Sequence, residues 1–125
     1  MKRKILVVDD SGLARRLSRK MLEELGHEVE EAPDGPEALE KCALGHFDAV
    51  FLDMLMGGMY GLEVLQKIKE LNPALPVIVV TADIQRSTRE QTKEAGASAM
   101  INKPINKAEL AETLELVWKG ETAWI

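Results

Sequence analysis

Short runs of continuous apolar residues alternate along this chain with longer stretches in which apolar positions recur every three or four residues. Ile5-Leu6-Val7-Val8, Ala49-Val50-Phe51-Leu52 and Val77-Ile78-Val79-Val80 have no polar interruption, as is usual for strands covered on both faces. They are expected in the middle of a parallel sheet. Two more polar runs, 27–32 and 98–101, fit strands nearer the sheet edges. Between the strands, Leu13, Leu17, Met21 and Leu25 recur every four residues, with Arg15, Arg16, Arg19 and Lys20 assigned to the other side of an amphipathic helix. Pro36 in a first turn, followed by Ala38, Leu39 and Cys42, predicts a second helix. Leu62, Leu65, Ile68 and Leu71 predict a third, closed off by Pro73 and Pro76. Residues 84–95 hold few apolar anchors, so a fourth helix there should be the most loosely attached, while Leu110, Leu114 and Val117 define a fifth.

Strand followed by helix, five times over, requires right-handed crossovers and helices on both faces of one parallel sheet. The expected fold is α/β: a flavodoxin-like doubly wound (βα)5 domain with strand order 2-1-3-4-5. Its core should run from about residue 4 to 119, with 120–125 as a C-terminal tail. Ligands of such folds lie beyond the carboxyl ends of the strands where the strand order reverses, here between the first and third strands.

Composition narrows the chemistry. The 125 residues carry 16 basic and 21 acidic side chains, a net charge of −5, which argues against affinity for a nucleic-acid backbone. An aromatic content of 4% leaves too few rings to stack single-stranded bases. Cys42 has no cysteine partner, so a reducing, cytoplasmic setting is expected. No apolar run reaches the roughly 20 residues of a membrane span, and only four apolar residues separate Lys4 from Asp9-Asp10, so neither membrane insertion nor a signal peptide is expected. The partner should be a protein or a small ligand.

Asp9 and Asp10 follow the first predicted strand and Asp53 follows the third, so the topology brings three carboxylates to the switch point. Two full negative charges about 4 Å apart repel by about 4 kcal/mol at an effective dielectric of about 20. Such a cluster must take up a proton, a cation or both. Hard oxygen ligands suit Mg²⁺, which uses one or two carboxylates and completes its shell with waters and phosphate oxygens. Thr81 and Lys103, at the ends of the fourth and fifth strands, add a hydroxyl and a positive charge to the same rim. Taken singly, the acids are ordinary helix caps or turn formers, Thr81 a common strand end and Lys103 a solvated surface residue. Together they offer what a transferred phosphoryl group needs.

From Ile5-Leu6-Val7-Val8-Asp9-Asp10 through Val50-Phe51-Leu52-Asp53, Val79-Val80-Thr81-Ala82 and Gly96-Ala97 to Lys103-Pro104, the chain resembles the response-regulator receiver domains, CheY-like stand-alone members in particular. The resemblance implies that Asp53 accepts a phosphoryl group from a histidine kinase or phosphotransfer protein. It implies that Asp9, Asp10, Asp53 and the backbone carbonyl of Leu55 hold Mg²⁺, and that Thr81 and Lys103 contact the phosphoryl group. It further implies a cis bond before Pro104, a switch involving Thr81 and the position held here by Met100, and catalysis of nothing beyond the domain's own phosphorylation and dephosphorylation. A monomer whose output is protein binding is expected. Residues 81–88 resemble chemotaxis-type receivers, which makes a flagellar motor component or a CheC-like phosphatase a candidate partner. Four positions depart from the family pattern: Leu55 where some members are polar, Gly57 for a common proline, Tyr60 for a usual Asp before Gly61, and Met100 for a usual aromatic. Leu55 and Asp83, two positions beyond Asp53 and Thr81, are expected to set the lifetime of the acyl phosphate.

Other features have plainer readings. Met54, Met56 and Met59 suit packing better than an adaptable partner surface, and the Arg15, Arg16, Arg19 and Lys20 face is either a solvated helix face or a kinase-docking one. His27 and His46 lack metal-ligand spacing, Cys42 suits the core, Trp118 the end of the fifth helix and Trp124 the tail. Rival functions are a Mg²⁺-dependent aspartyl-phosphate phosphatase, which would carry a second Asp where Leu55 stands, and a partner-binding receiver that works without phosphorylation. A flavin carrier would need a phosphate loop where Asp9-Asp10 would repel it.

Overall fold

In the computed structural model, which describes residues 2–54, 61–82 and 85–121, each continuous apolar run is a strand. The chain folds as β1 (Lys4–Val8), α1 (Gly12–Glu24), β2 (Glu28–Ala32), α2 (Gly35–Leu44), β3 (Ala49–Asp53), α3 (Gly61–Leu71), β4 (Val77–Thr81), α4 (Arg86–Glu94), β5 (Ala99–Asn102) and α5 (Lys107–Trp118). All neighbouring strands are parallel, in the order β2-β1-β3-β4-β5, the doubly wound fold expected from the alternation. The two polar runs form the edges: Glu28, Glu30 and Glu31 of β2 put charge where an edge strand needs it.

Strand alternation divides the core. Leu6, Val8, Val50, Leu52, Val77 and Val79 face α2 and α3, burying Ala38, Val64, Leu65 and Ile68. Ile5, Val7, Phe51, Ile78, Ala99 and Ile101 face α1 and α5, burying Leu22, Leu110, Leu114 and Val117. Cys42 is half-buried against the first of these layers. Three helices open on side-chain caps: Ser11 Oγ accepts from Ala14 N–H, Asp34 from Glu37 N–H, and Asn106 from the N–H groups of Ala108 and Glu109. In α4 the single buried residue is Thr92, whose hydroxyl donates 2.6 Å to Thr88 O within the helix. Little apolar surface ties this helix down.

The helical faces differ from expectation in two places. Leu13 and Leu17 are 64% and 52% exposed, while Ser18 and Leu22 are buried and Met21 and Leu25 half-buried. Four-residue spacing advances about 40° per step around a helix of 3.6 residues per turn. The leucine stripe therefore winds around α1, and only its C-terminal half meets the sheet. Arg15 and Arg19, expected on either a solvated helix face or a kinase-docking one, lie against β2 and pair with Glu31. In α3, Val64 replaces Leu71 on the buried face, and Leu71 is 54% exposed.

At the far ends of the strands from Asp9, the Arg3 guanidinium lies 4.6 Å from the Trp118 ring centroid and His27 meets the same ring edge-on at 5.8 Å. His27 Nδ1 accepts a 3.3 Å hydrogen bond from Arg3 N–H. Burial first, then the charges of the N-terminus and Arg3, push the imidazole below its ordinary pKa. His27 thus packs with Arg3 and Trp118 just before β2.

Candidate functional site

The carboxyl ends of β1 and β3 sit side by side because Val8 pairs in register with Leu52. That register brings Asp9, Asp10 and Asp53 together, with one carboxylate oxygen of each within 4.8 Å of the others. Asp9 and Asp53 are buried and Asp10 is exposed. Lys103, just past β5, reaches in from the other side, its Nζ 3.1 Å from Asp9 Oδ2 and 3.5 Å from Asp53 Oδ2. Burial works to lower the lysine's pKa, but the hydrogen bond to Asp9 and the charges of Asp53 and Asp9 outweigh it and hold the ammonium above the ordinary lysine value. Lys103 is thus a fixed positive charge beside the acids.

Thr81 closes β4 and is fully buried, and its carbonyl accepts from Lys103 N–H at 2.8 Å. One peptide contact thus ties the hydroxyl and ammonium positions of the rim together. The Lys103–Pro104 bond is cis. Met100 is half-buried and packs against the α2–α3 side of the core, one sheet position from Val79. Leu55, Met56, Gly57, Met59, Tyr60, Asp83 and Trp124 lie outside the described residues.

Three acid oxygens within 4.8 Å and one ammonium fit a hard divalent cation. The lysine carries one positive charge against three carboxylates, so a second cation relieves repulsion that a neutral ligand would leave in place.

Two contributors were not singled out from the sequence. Gly61 opens α3 directly against the end of β3: a Cβ there would lie 2.5 Å from Met54 Cα and 2.7 Å from Asp53 O, and its N–H donates to Met54 O at 3.2 Å. Glycine at the first position of an otherwise amphipathic helix is the signal that could have exposed it. The other is Arg15, whose Nη1 donates 2.7 Å to the main-chain carbonyl of Asp9. No periodicity reveals that contact. Beside the acids, Ala14, Leu17 and Met21 of α1 and Pro104 and Ile105 beyond β5 line an apolar groove of about 530 Å³, with Lys103 at its edge.

The family model for the response regulator receiver domain matches residues 5–115. The transcriptional regulatory protein ResD of Bacillus subtilis (strain 168) is 40% identical over 107 residues, 86% of this chain and 44% of ResD. Sensor protein EvgS of Escherichia coli (strain K12) is 37% identical over 101 residues, 81% of this chain and 8% of EvgS. The chain spans less than half the length of these relatives. Among solved structures, the CheY-like receiver domain protein of Methanospirillum hungatei JF-1 superposes with a TM-score of 0.90 at 31% identity, covering 96% of each chain. Chemotaxis protein CheY4 of Vibrio cholerae superposes with a TM-score of 0.87 at 32% identity, covering 94% of this chain and 99% of that one.

Proposed function

The chain belongs to the response regulator receiver domain family, and from that premise we propose that it is a phosphoacceptor switch of a two-component pathway, with Asp53 as the acceptor and Mg²⁺ as the cofactor. The observation that carries this reading is the cluster itself: Asp9, Asp10 and Asp53 within 4.8 Å at the ends of two paired strands, with Lys103 in contact. Asp53 ends a fully buried strand with its carboxylate among Asp9, Asp10 and Lys103, which holds it in place for attack. An Asp53 oxygen forms a bond to phosphorus as the phosphorus–nitrogen bond of a phosphohistidine breaks. The departing imidazole nitrogen takes up a proton from solvent. Lys103 offsets charge on the peripheral oxygens, and the Thr81 hydroxyl supplies a donor on the same rim. Asp9, Asp10, Asp53 and the Leu55 carbonyl would hold Mg²⁺, which supplies further charge neutralisation when bound.

The apolar groove offers a phosphodonor a seat beside Lys103, which contacts Asp53. Exposed Leu17 lines it beside Lys103, with exposed Leu13 one turn earlier on α1. The docking face therefore rests on these leucines rather than on Arg15 and Arg19, which are already paired with Glu31. We extend the reading to a cytoplasmic monomer that signals by binding. The likeness to a chemotaxis protein supports a flagellar motor component or a CheC-like phosphatase as the partner. The output path runs from Thr81 through Met100 to α4, a helix with a single buried residue.

Incubating the protein with Mg²⁺ and a small phosphodonor, then measuring intact mass, tests the assignment. One phosphoryl adduct is expected on the wild type and none on Asp53→Asn, which is nearly isosteric but cannot form the acyl phosphate. Equal labelling of the two would remove Asp53 from the role, and an unlabelled wild type would favour a receiver that works without phosphorylation.

A further inference from the structure

The segment between β1 and α1 is only residues 9–11, and Asp9 is gripped at every polar group. Its N–H donates to Ala32 O at 3.2 Å, Oδ1 accepts from Ser11 N–H at 2.9 Å, and Oδ2 meets Lys103 at 3.1 Å. The fourth grip is the 2.7 Å hydrogen bond from Arg15 Nη1 to the Asp9 carbonyl. Asp10, the exposed member of the acidic cluster, follows directly on the same backbone. The Asp9 carbonyl and the Asp10 N–H belong to one rigid peptide plane. Whatever holds that carbonyl sets the direction in which Asp10 leaves the chain.

Arg15 is itself anchored. Its Nε donates 3.2 Å to Glu31 Oε1, and Glu31 Oε2 accepts from Arg19 Nη1 at 2.9 Å. The Arg15 and Glu31 side chains are only 18% and 23% exposed, so these charge-assisted bonds are partly shielded from water. A planar guanidinium can bridge a carbonyl and a carboxylate lying in different directions, which a lysine ammonium on a flexible stem does poorly. We propose that Arg15, oriented by Glu31, is a positioning residue for the metal site, fixing the Asp9–Asp10 peptide and through it the Asp10 carboxylate. This rests on the reading of the acidic cluster as a Mg²⁺ site.

The sign of one measurement separates positioning from charge. A cation beside the site repels a divalent cation, so if Arg15 acted only by its charge, removing it would tighten Mg²⁺ binding. If it positions Asp10, removing it weakens binding. Calorimetric titration of the full chain with MgCl₂ should show Arg15→Ala binding about tenfold more weakly, the scale seen when a partner of a metal ligand is lost. Arg15→Lys keeps the charge and should fall between Arg15→Ala and the wild type. Arg16→Ala removes the same charge from an exposed neighbour and should not weaken binding. In metal-free buffer, Ser11 amide exchange should be several-fold faster in Arg15→Ala while core amides keep wild-type rates. Unchanged or tighter Mg²⁺ binding by a folded Arg15→Ala overturns the proposal. If that variant does not fold, wild-type affinity in Arg15→Lys overturns it instead. A wild type that binds no Mg²⁺ removes the metal site, and this role of Arg15 with it.

Discussion

Replacing Gly61 with alanine pits two effects of opposite sign against each other. Gly61 is the first residue of α3 and its φ is not positive, so alanine suits its backbone and helix propensity alone would favour the change by up to about 1 kcal/mol. The surroundings oppose it. The new Cβ would meet Met54 Cα at 2.5 Å, Asp53 O at 2.7 Å and Met54 O at 2.9 Å, against an optimal contact of about 3.5–4.0 Å for carbon. All three atoms are backbone, and neither side has room to retreat: Val64, Leu65 and Ile68 of α3 and Leu52 of β3 are fully buried. Overpacking costs about 1–3 kcal/mol, and three backbone contacts of 2.5–2.9 Å put this site at about 2–3 kcal/mol, leaving a net loss of about 1–2 kcal/mol. With an unfolding entropy of about 2.1 cal/mol/K per residue, a chain of 125 residues has about 0.26 kcal/mol/K. The melting temperature should therefore fall by about 4–8 °C. Gly12→Ala is the matched control, at the first residue of α1, where the new Cβ makes only ordinary van der Waals contact, with the ends of Arg16 and Arg15 at 3.4 and 3.6 Å. Thermal unfolding of both variants by circular dichroism decides the matter. A Gly61→Ala protein that melts at or above the wild type refutes the steric account. Because the displaced atoms belong to Asp53 and its neighbour, phosphodonor labelling of Gly61→Ala should also slow, while Gly12→Ala labels normally.

Asp10→Ala should lower Mg²⁺ affinity in calorimetry and, in metal-free buffer, raise the melting temperature by about 1–4 °C by relieving an exposed like-charge contact; a lower metal-free melting temperature would contradict the repulsion. His27 is held below its ordinary pKa of 6.5, so the unfolded chain takes up a proton first as pH falls. Its contribution to stability is present above about pH 6.5 and lost as pH drops through the depressed folded value. Denaturant melts at pH 7.5 and 5.5 should show this loss in the wild type and not in His27→Asn, whose Oδ1 can accept the same bond from Arg3. Glu30 and Glu31, held below the ordinary carboxylate range by Lys4 and Arg19 hydrogen bonds, stay ionised across that window. Phosphorylation should shift the amides of α4 and of residues 98–101 more than those of α2, and Thr81→Ala should abolish the α4 shifts, read by two-dimensional NMR. Met100→Ala should reduce partner binding only modestly, because a flexible thioether fills space through several rotamers; loss of binding would make Met100 a sharp switch.

The strands were legible because burial on both faces leaves an apolar run no other role, and their register then placed Asp9, Asp10 and Asp53 where topology said they would meet. Lys103 and Thr81 followed from the same logic of strand ends. α1 was read less well because an i, i+4 stripe is not parallel to the helix axis. Leu13 and Leu17 share a pattern with Met21 and Leu25 but not their burial. Ser18, polar and yet buried, was invisible to a hydrophobic pattern. The arginines of α1 looked alike in one dimension, but Arg15 and Arg19 differ from Arg16 through a single acid on β2, a contact set by the β1–β2 crossover. Gly61 matters through an approach of two backbones, and no side-chain pattern encodes the space a missing Cβ leaves.

Of the nine residues of α4, only Thr92 is buried, and it satisfies its own hydroxyl inside the helix. The outward positions Arg86, Ser87, Glu90, Gln91, Lys93 and Glu94 are exposed and owe the core almost nothing. Substitutions there carry little folding cost, so the face can change its binding vocabulary while the acid pocket and both halves of the core keep theirs. A combinatorial library confined to those six positions would sample new partners at nearly constant stability, which makes α4 the part of this molecule best suited to rewiring.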